Sequence, residues 1–196
     1  MKPNYLLFIS MLFCLWSCED EQSDKHAATE AIQYIPQNAA FIVEGRDLLG
    51  VKNEIVKADF QSLSPEESEL SSFFTSLTDL EKNLKAKHAT LWQNYEFCLS
   101  IHASGSQKTG SILILKDENQ QLLKAINSSF NNETKSTELY ENQNITKLNS
   151  ETLACVQLND FMLISDETIL IKDAILQYSA KSNLNTNPHF QKVFKT

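Results

Sequence analysis

The sequence predicts an α+β fold: a mostly antiparallel sheet with helices packed on one face. Three observations carry that expectation. Extended segments come in runs rather than alternating strictly with helices. Residues 95–102 alternate Tyr95, Phe97, Leu99 and Ile101 with Glu96, Cys98, Ser100 and His102, the period of a half-buried strand. Helical spacing is confined to the stretches between those runs, most clearly Leu70, Phe73, Phe74, Leu77, Leu80 and Leu84.

Taken in order, the folded body begins near Ala31, where Ile32, Tyr34 and Ile35 lead into a turn at Pro36-Gln37-Asn38 and a first strand at 39–44. Gly45 and Asp47 break the extended pattern, and Asp47 is placed to cap a helix through Leu48, Val51, Ile55 and Val56. A second helix starts after Ser64, with Pro65 at its first position and Glu66-Glu67 favouring its N-terminus, and runs to 85–87. The strand at 95–102 then turns through 105–110 and returns at 111–115, an antiparallel hairpin. A helix from Asp117 carries Leu122, Leu123, Ile126 and Phe130, and an Asn-rich stretch at 127–132 separates it from short strands at 136–140, 145–148 and 152–158. Asp160 marks a turn, 161–165 forms one more strand, and 167–180 forms a helix with Ile171, Ala174, Ile175 and Tyr178 inward. The expected core is Phe41, Val43, Phe73, Phe74, Leu77, Leu99, Ile101, Leu113, Leu163 and Ile175.

The N-terminus has a different character. A short basic start at Lys2 precedes an apolar run from Tyr5 to Trp16, interrupted by Ser10, which is too short to cross a bilayer but suits a signal-peptide core. Leu15-Trp16-Ser17-Cys18 resembles the lipobox of type II signal peptides, with Trp16 as the one departure, and makes Cys18 the expected site of lipidation. Glu19-Asp20-Glu21-Gln22-Ser23-Asp24-Lys25-His26 is polar throughout and reads as a tether. Its acids, placed directly after the cysteine, resemble the signal that sends some lipoproteins to the outer face of a Gram-negative outer membrane. The expected organisation is a signal peptide at 1–17, a lipidated tether at 18–30, one α+β domain at 31–186 and the start of a further helix at 187–196.

Composition narrows the partners. Twenty-five acidic residues against seventeen basic ones give a net charge of −8, and Arg46 is the only arginine. A chain of that sign has no surface through which phosphate counterions would be released, so nucleic acid is set aside. A membrane, reached through the lipid, is the expected partner, with a protein or glycan as the ligand. Four glycines and four prolines leave no Gly-rich phosphate cradle, and no repeat period is evident.

Chemistry-bearing residues are scattered. His26, His88, His102 and His189 lack metal-ligand spacing and read as surface histidines. Ser104-Gly105-Ser106 lacks the frame of a nucleophile elbow and reads as hairpin loop, and Glu44-Gly45-Arg46-Asp47 reads as a strand-to-helix turn. No catalytic residue, metal ligand or cofactor is assigned. Cys98 and Cys155 are the cysteines left in the body, and an oxidising envelope makes them candidates for a disulfide.

At the end, Pro188 opens a helix whose apolar positions Phe190, Val193 and Phe194 have only begun to repeat, so the expectation is a chain that continues beyond Thr196. The segment at 35–44, the strand-helix unit at 161–175 and Asn187-Pro188-His189-Phe190 together resemble an uncharacterised family of large bacterial envelope lipoproteins. That resemblance implies an address and a further C-terminal portion, with no residue role to carry over. Two functions follow as expectations: a non-catalytic binding or structural module, or the N-terminal part of an envelope enzyme whose active site lies beyond Thr196.

Overall fold

The computed structural model describes residues 30–48, 50–51, 69–85, 95–103, 108–131, 133–148 and 152–194. The signal peptide, Cys18, most of the tether, Ile55, Val56, the Ser64–Glu67 helix start, the 104–106 loop, His26 and His88 lie outside those residues.

Seven strands form one antiparallel sheet: β1 (Ala39–Gly45), β2 (Phe97–Ala103), β3 (Thr109–Lys116), β4 (Lys135–Tyr140), β5 (Gln143–Leu148), β6 (Leu153–Leu158) and β7 (Phe161–Ser165). Their order across the sheet is β1-β2-β3-β7-β6-β5-β4. Two meanders therefore meet at the centre, where β3 and β7 pair through Leu113 with Ile164 and Ile114 with Leu163. The helices whose bounds fall within the described residues are α1 (Glu69–Lys85), α2 (Gln121–Ser129), α3 (Thr168–Ser179) and α4 (Pro188–Phe194), with 3-10 turns at Ile32–Tyr34 and Leu184–Thr186. The α+β class is the one the sequence predicts.

The helices, however, cover both faces of the sheet rather than one. Ile112, Ile114, Val156, Phe161 and Leu163 face α3 and the Ile32–Tyr34 turn. Their neighbours in the chain, Leu113, Leu115, Cys155, Met162 and Ile164, face the other way, into a second core built with α1 and α2. The physical reason is legible in the strands. Residues 112–115 and 161–164 are apolar at every position instead of alternating, as a strand buried on both sides must be.

Each helix follows its stripe. Phe73, Phe74, Leu77, Leu80 and Leu84 of α1 are all buried, as are Leu170, Ile171, Ala174 and Ile175 of α3. Asp47 starts its helix as expected, its carboxylate accepting from the Gly50 amide at 2.9 Å. Asn187 does the same for α4, accepting from His189 N at 2.9 Å, and Phe190 packs half-buried on the α3-side core.

Three expectations about buried residues are corrected. Phe41 is 44 % exposed and Val43 only half-buried, because β1 is an edge strand, irregular between Ala39 and Phe41, and is covered from one side in the sheet plane; Ile101, on β2 opposite Phe41, is also only half-buried. His102 is not a surface histidine but fully buried, while His189 is exposed. Cys98 and Cys155 do not pair. Both thiols are free and buried, on strands separated by β3 and β7 and on opposite faces of the sheet. Three strand spacings place their backbones about 14 Å apart, twice the reach of a disulfide. Burial pushes both thiols up, Cys155 to about 12, so neither is a nucleophile at neutral pH.

Candidate functional site

The clearest concavity lies where β3 runs into α2. It is a polar cleft of about 390 Å³ lined by Tyr95, Glu96, Lys116, Asp117, Glu118, Asn119 and Gln121. The sequence builds it from a single device. Asp117 follows the last strand residue, and its carboxylate turns back to accept from the amides of Gln121 at 2.8 Å and Leu122 at 3.0 Å, satisfying two donors that open α2. Gln120 adopts a left-handed backbone (φ 53°) to make the turn, and its amide donates to the Asp117 carbonyl at 2.9 Å. The Asp117 amide donates across to the Asp160 carbonyl at 2.6 Å, fixing this corner to the β6–β7 turn.

The other walls carry charge. The Tyr95 hydroxyl donates to the buried Asp117 carboxylate. Burial and that negative partner raise its pKa to about 12, so it is a neutral donor at physiological pH. Glu96 pairs with Arg46 at 2.6 Å. Lys116 sits between Glu118 at 2.9 Å and Glu30 at 3.5 Å, and its bond to Glu118 raises its pKa, so it stays a cation. Such a cleft can orient a polar molecule through its donors and acceptors.

A second polar cluster lies inside the α3-side core. Asn38 Oδ1 lies 3.0 Å from His102 Nδ1, and His102 Nε2 lies 2.9 Å from Ser100 Oγ. The amide oxygen can only accept, so Nδ1 carries the proton and the serine hydroxyl donates to Nε2. Serine, histidine and asparagine in this order resemble the chain that activates a nucleophile. Here both Ser100 and His102 have 0 % exposure, so no substrate carbonyl reaches the hydroxyl. The cluster instead ties the 36–38 turn to β2. Burial lowers His102 to a pKa of about 4, which keeps the ring neutral.

Among the described residues, no three His, Cys, Asp or Glu side chains come together as a metal site. Sequence reasoning placed Tyr95 on a strand and Asp117 at a helix start without connecting them. The available signal was Asp117 one turn ahead of a helical pattern, the mark of a cap. The approach of Tyr95 follows from the β2–β3 pairing of Phe97 with Leu115. The closed Ser100-His102 pair also had a signal, since residues two apart on a strand share a face.

No protein-family model, no curated protein and no solved structure matches this chain.

Proposed function

We propose that this chain is a lipid-anchored protein of the bacterial cell envelope, held at Cys18 in a Gram-negative outer membrane, and that it acts by binding a partner rather than by turning over a substrate. The observation that carries the address is Leu15-Trp16-Ser17-Cys18, an apolar run ending in a lipobox-like cysteine and followed at once by acid. The binding role rests on the β3–α2 cleft, where the Tyr95 hydroxyl donates to Asp117 and Lys116 pairs with Glu118. Its mixed lining suits a polar ligand such as a glycan or a charged loop of an envelope protein.

Mass spectrometry of the membrane fraction tests the address. Cys18 should become the first residue and carry acyl chains, and Cys18→Ser should abolish both, leaving an unacylated precursor that keeps its signal segment. A Cys18→Ser form that is still cleaved and membrane-bound would sink the reading. The cleft is tested by titrating soluble peptidoglycan fragments into the isotope-labelled domain. Saturable shifts confined to the amides of residues 95–96 and 116–121 are expected, and their absence would remove this ligand class.

A further inference from the structure

We propose that β4 is a self-pairing edge: two copies of this chain join antiparallel through it, Glu138 facing Glu138 across a two-fold axis, to make one continuous sheet. This contact is independent of the N-terminal segment and of the cleft. The sheet has two open edges, and they differ. β1 is irregular between Ala39 and Phe41, the kind of bulge that blunts an edge. β4 keeps an unbroken register with β5, from Lys135 opposite Leu148 to Tyr140 opposite Gln143. A two-residue turn closes that hairpin, with Glu141 at φ 46° and Asn142 at φ 61°, the left-handed pair of a type I′ turn. Such a turn makes Tyr140 and Gln143 a hydrogen-bonded pair. Tyr140, Glu138 and Ser136 therefore spend their backbone groups on β5, and the residues between them turn theirs outward. The Lys135 amide is already taken, donating to the Asn131 carbonyl at 3.0 Å. Thr137 and Leu139 remain, and among the described residues nothing else meets their N–H and C=O groups.

Those outward groups set the register. Two identical antiparallel strands satisfy them fully when Thr137 of one copy faces Leu139 of the other, each rung exchanging both bonds, which centres the axis on Glu138. Centring on Thr137 instead would set Leu139 against Lys135, whose amide is spent. With the axis at Glu138, Lys135 lies opposite Glu141 of the second copy. That pair is complementary in charge, and among the described residues neither member meets an opposite charge in its own chain. The like pair at the centre arrives neutralised, because each Glu138 carboxylate accepts from Lys147 at 2.6 Å and from Lys172 of α3. On the other face Leu139 is 69 % exposed, the most exposed large apolar side chain among the described residues, and Thr137 of the second copy covers it. An apolar side chain on a regular open edge is what folded proteins avoid unless that edge is paired.

The test uses the full chain in cells that make it, with disulfide linkage read above the background of the parent chain and its native cysteines. Opposed residues of a non-hydrogen-bonded antiparallel pair lie about 4.5 Å apart at Cα, within disulfide range. Glu138→Cys should therefore oxidise to a linked dimer about fivefold more than Thr137→Cys or Leu139→Cys, whose counterparts lie diagonally at about 7–8 Å. Adding Leu139→Pro should cut the Glu138→Cys yield to the level of those neighbours. The residue 139 amide points outward, so proline removes no bond to β5; Leu139→Lys reads the same loss without altering the backbone. In analytical ultracentrifugation the wild-type chain in density-matched detergent should rise from one chain's mass towards two with concentration, and both Leu139 variants should stay at one. Equal linkage at the three positions, or a wild-type chain still monomeric at millimolar concentration, overturns the pairing. So does a dimer that the Leu139 variants leave intact, which would place the contact elsewhere. Stronger linkage at Thr137→Cys overturns the register, and linkage of residue 138 to other proteins without the homodimer gives the edge to a foreign strand and overturns self-pairing.

Discussion

His102 shows how a single buried side chain couples stability to pH. Its folded pKa of about 4 lies below the unfolded value of 6.5, so between those two limits the unfolded chain takes up a proton that the folded one refuses. Stability is full above pH 6.5 and falls as the pH drops towards 4, by about 3 kcal/mol at 1.36 kcal/mol per unit. Many carboxylates titrate in the same range, so the informative quantity is the difference between the wild type and His102→Gln. Urea unfolding at pH 7 and pH 4 should show a smaller acid loss in the variant; equal losses would mean that the ring is solvated. The same burial that silences His102 silences Ser100, which is why a sequence of hydrolytic residues is here a structural strut.

At the scale of elements, Asp117 joins three pieces: it ends β3, caps α2 and receives the Tyr95 hydroxyl. Asp117→Ala should cost about 2 kcal/mol, at the upper end for a lost cap because Tyr95 also loses its acceptor. Chemical denaturation measures the loss, and hydrogen exchange should show it first at residues 121–124; a change under about 0.5 kcal/mol would mean that water replaces the carboxylate without penalty. Gly110 is another such joint. A Cβ there would lie 2.7 Å from Leu170 Cδ1 and 3.0 Å from Glu167 Cγ, so the start of α3 rests directly on the β3 backbone. Gly110→Ala should destabilise by about 1–3 kcal/mol through overpacking, read as a lower urea midpoint with an unchanged slope.

For the molecule as a whole, one sheet is shared by two cores, and that sharing predicts cooperative unfolding. Phe74 belongs to the α1–α2 side and Ile175 to the α3 side. Phe74→Ala should cost about 3–5 kcal/mol and Ile175→Ala about 2–5 kcal/mol. Each should lower the same single transition, whether followed by fluorescence or by backbone ellipticity. The double variant should be additive within about 0.5 kcal/mol, because the sheet separates the two sites. Two resolved transitions would show that each face melts on its own.

The sequence by itself determined the elements, because their signals are local: the period of side chains along α1, Asp117 and Asn187 ahead of their helices, the turn residues between strands. It also contained, unread, the reason for two covered faces, since β3 and β7 are apolar without alternation. Only the tertiary structure decided how those elements meet. Strand order brought β7 beside β3 from far along the chain and put β1 at an edge, which exposed Phe41. The same order set Cys98 and Cys155 on opposite faces and left them free. The cleft belongs to this second kind of information: Tyr95 lies on a different segment from the adjacent Lys116 and Asp117, and the β2–β3 pairing, not sequence spacing, brings it to them. Burial is likewise a property of the assembled molecule, and it is burial that turned His102 from an expected surface residue into a neutral ring inside the core.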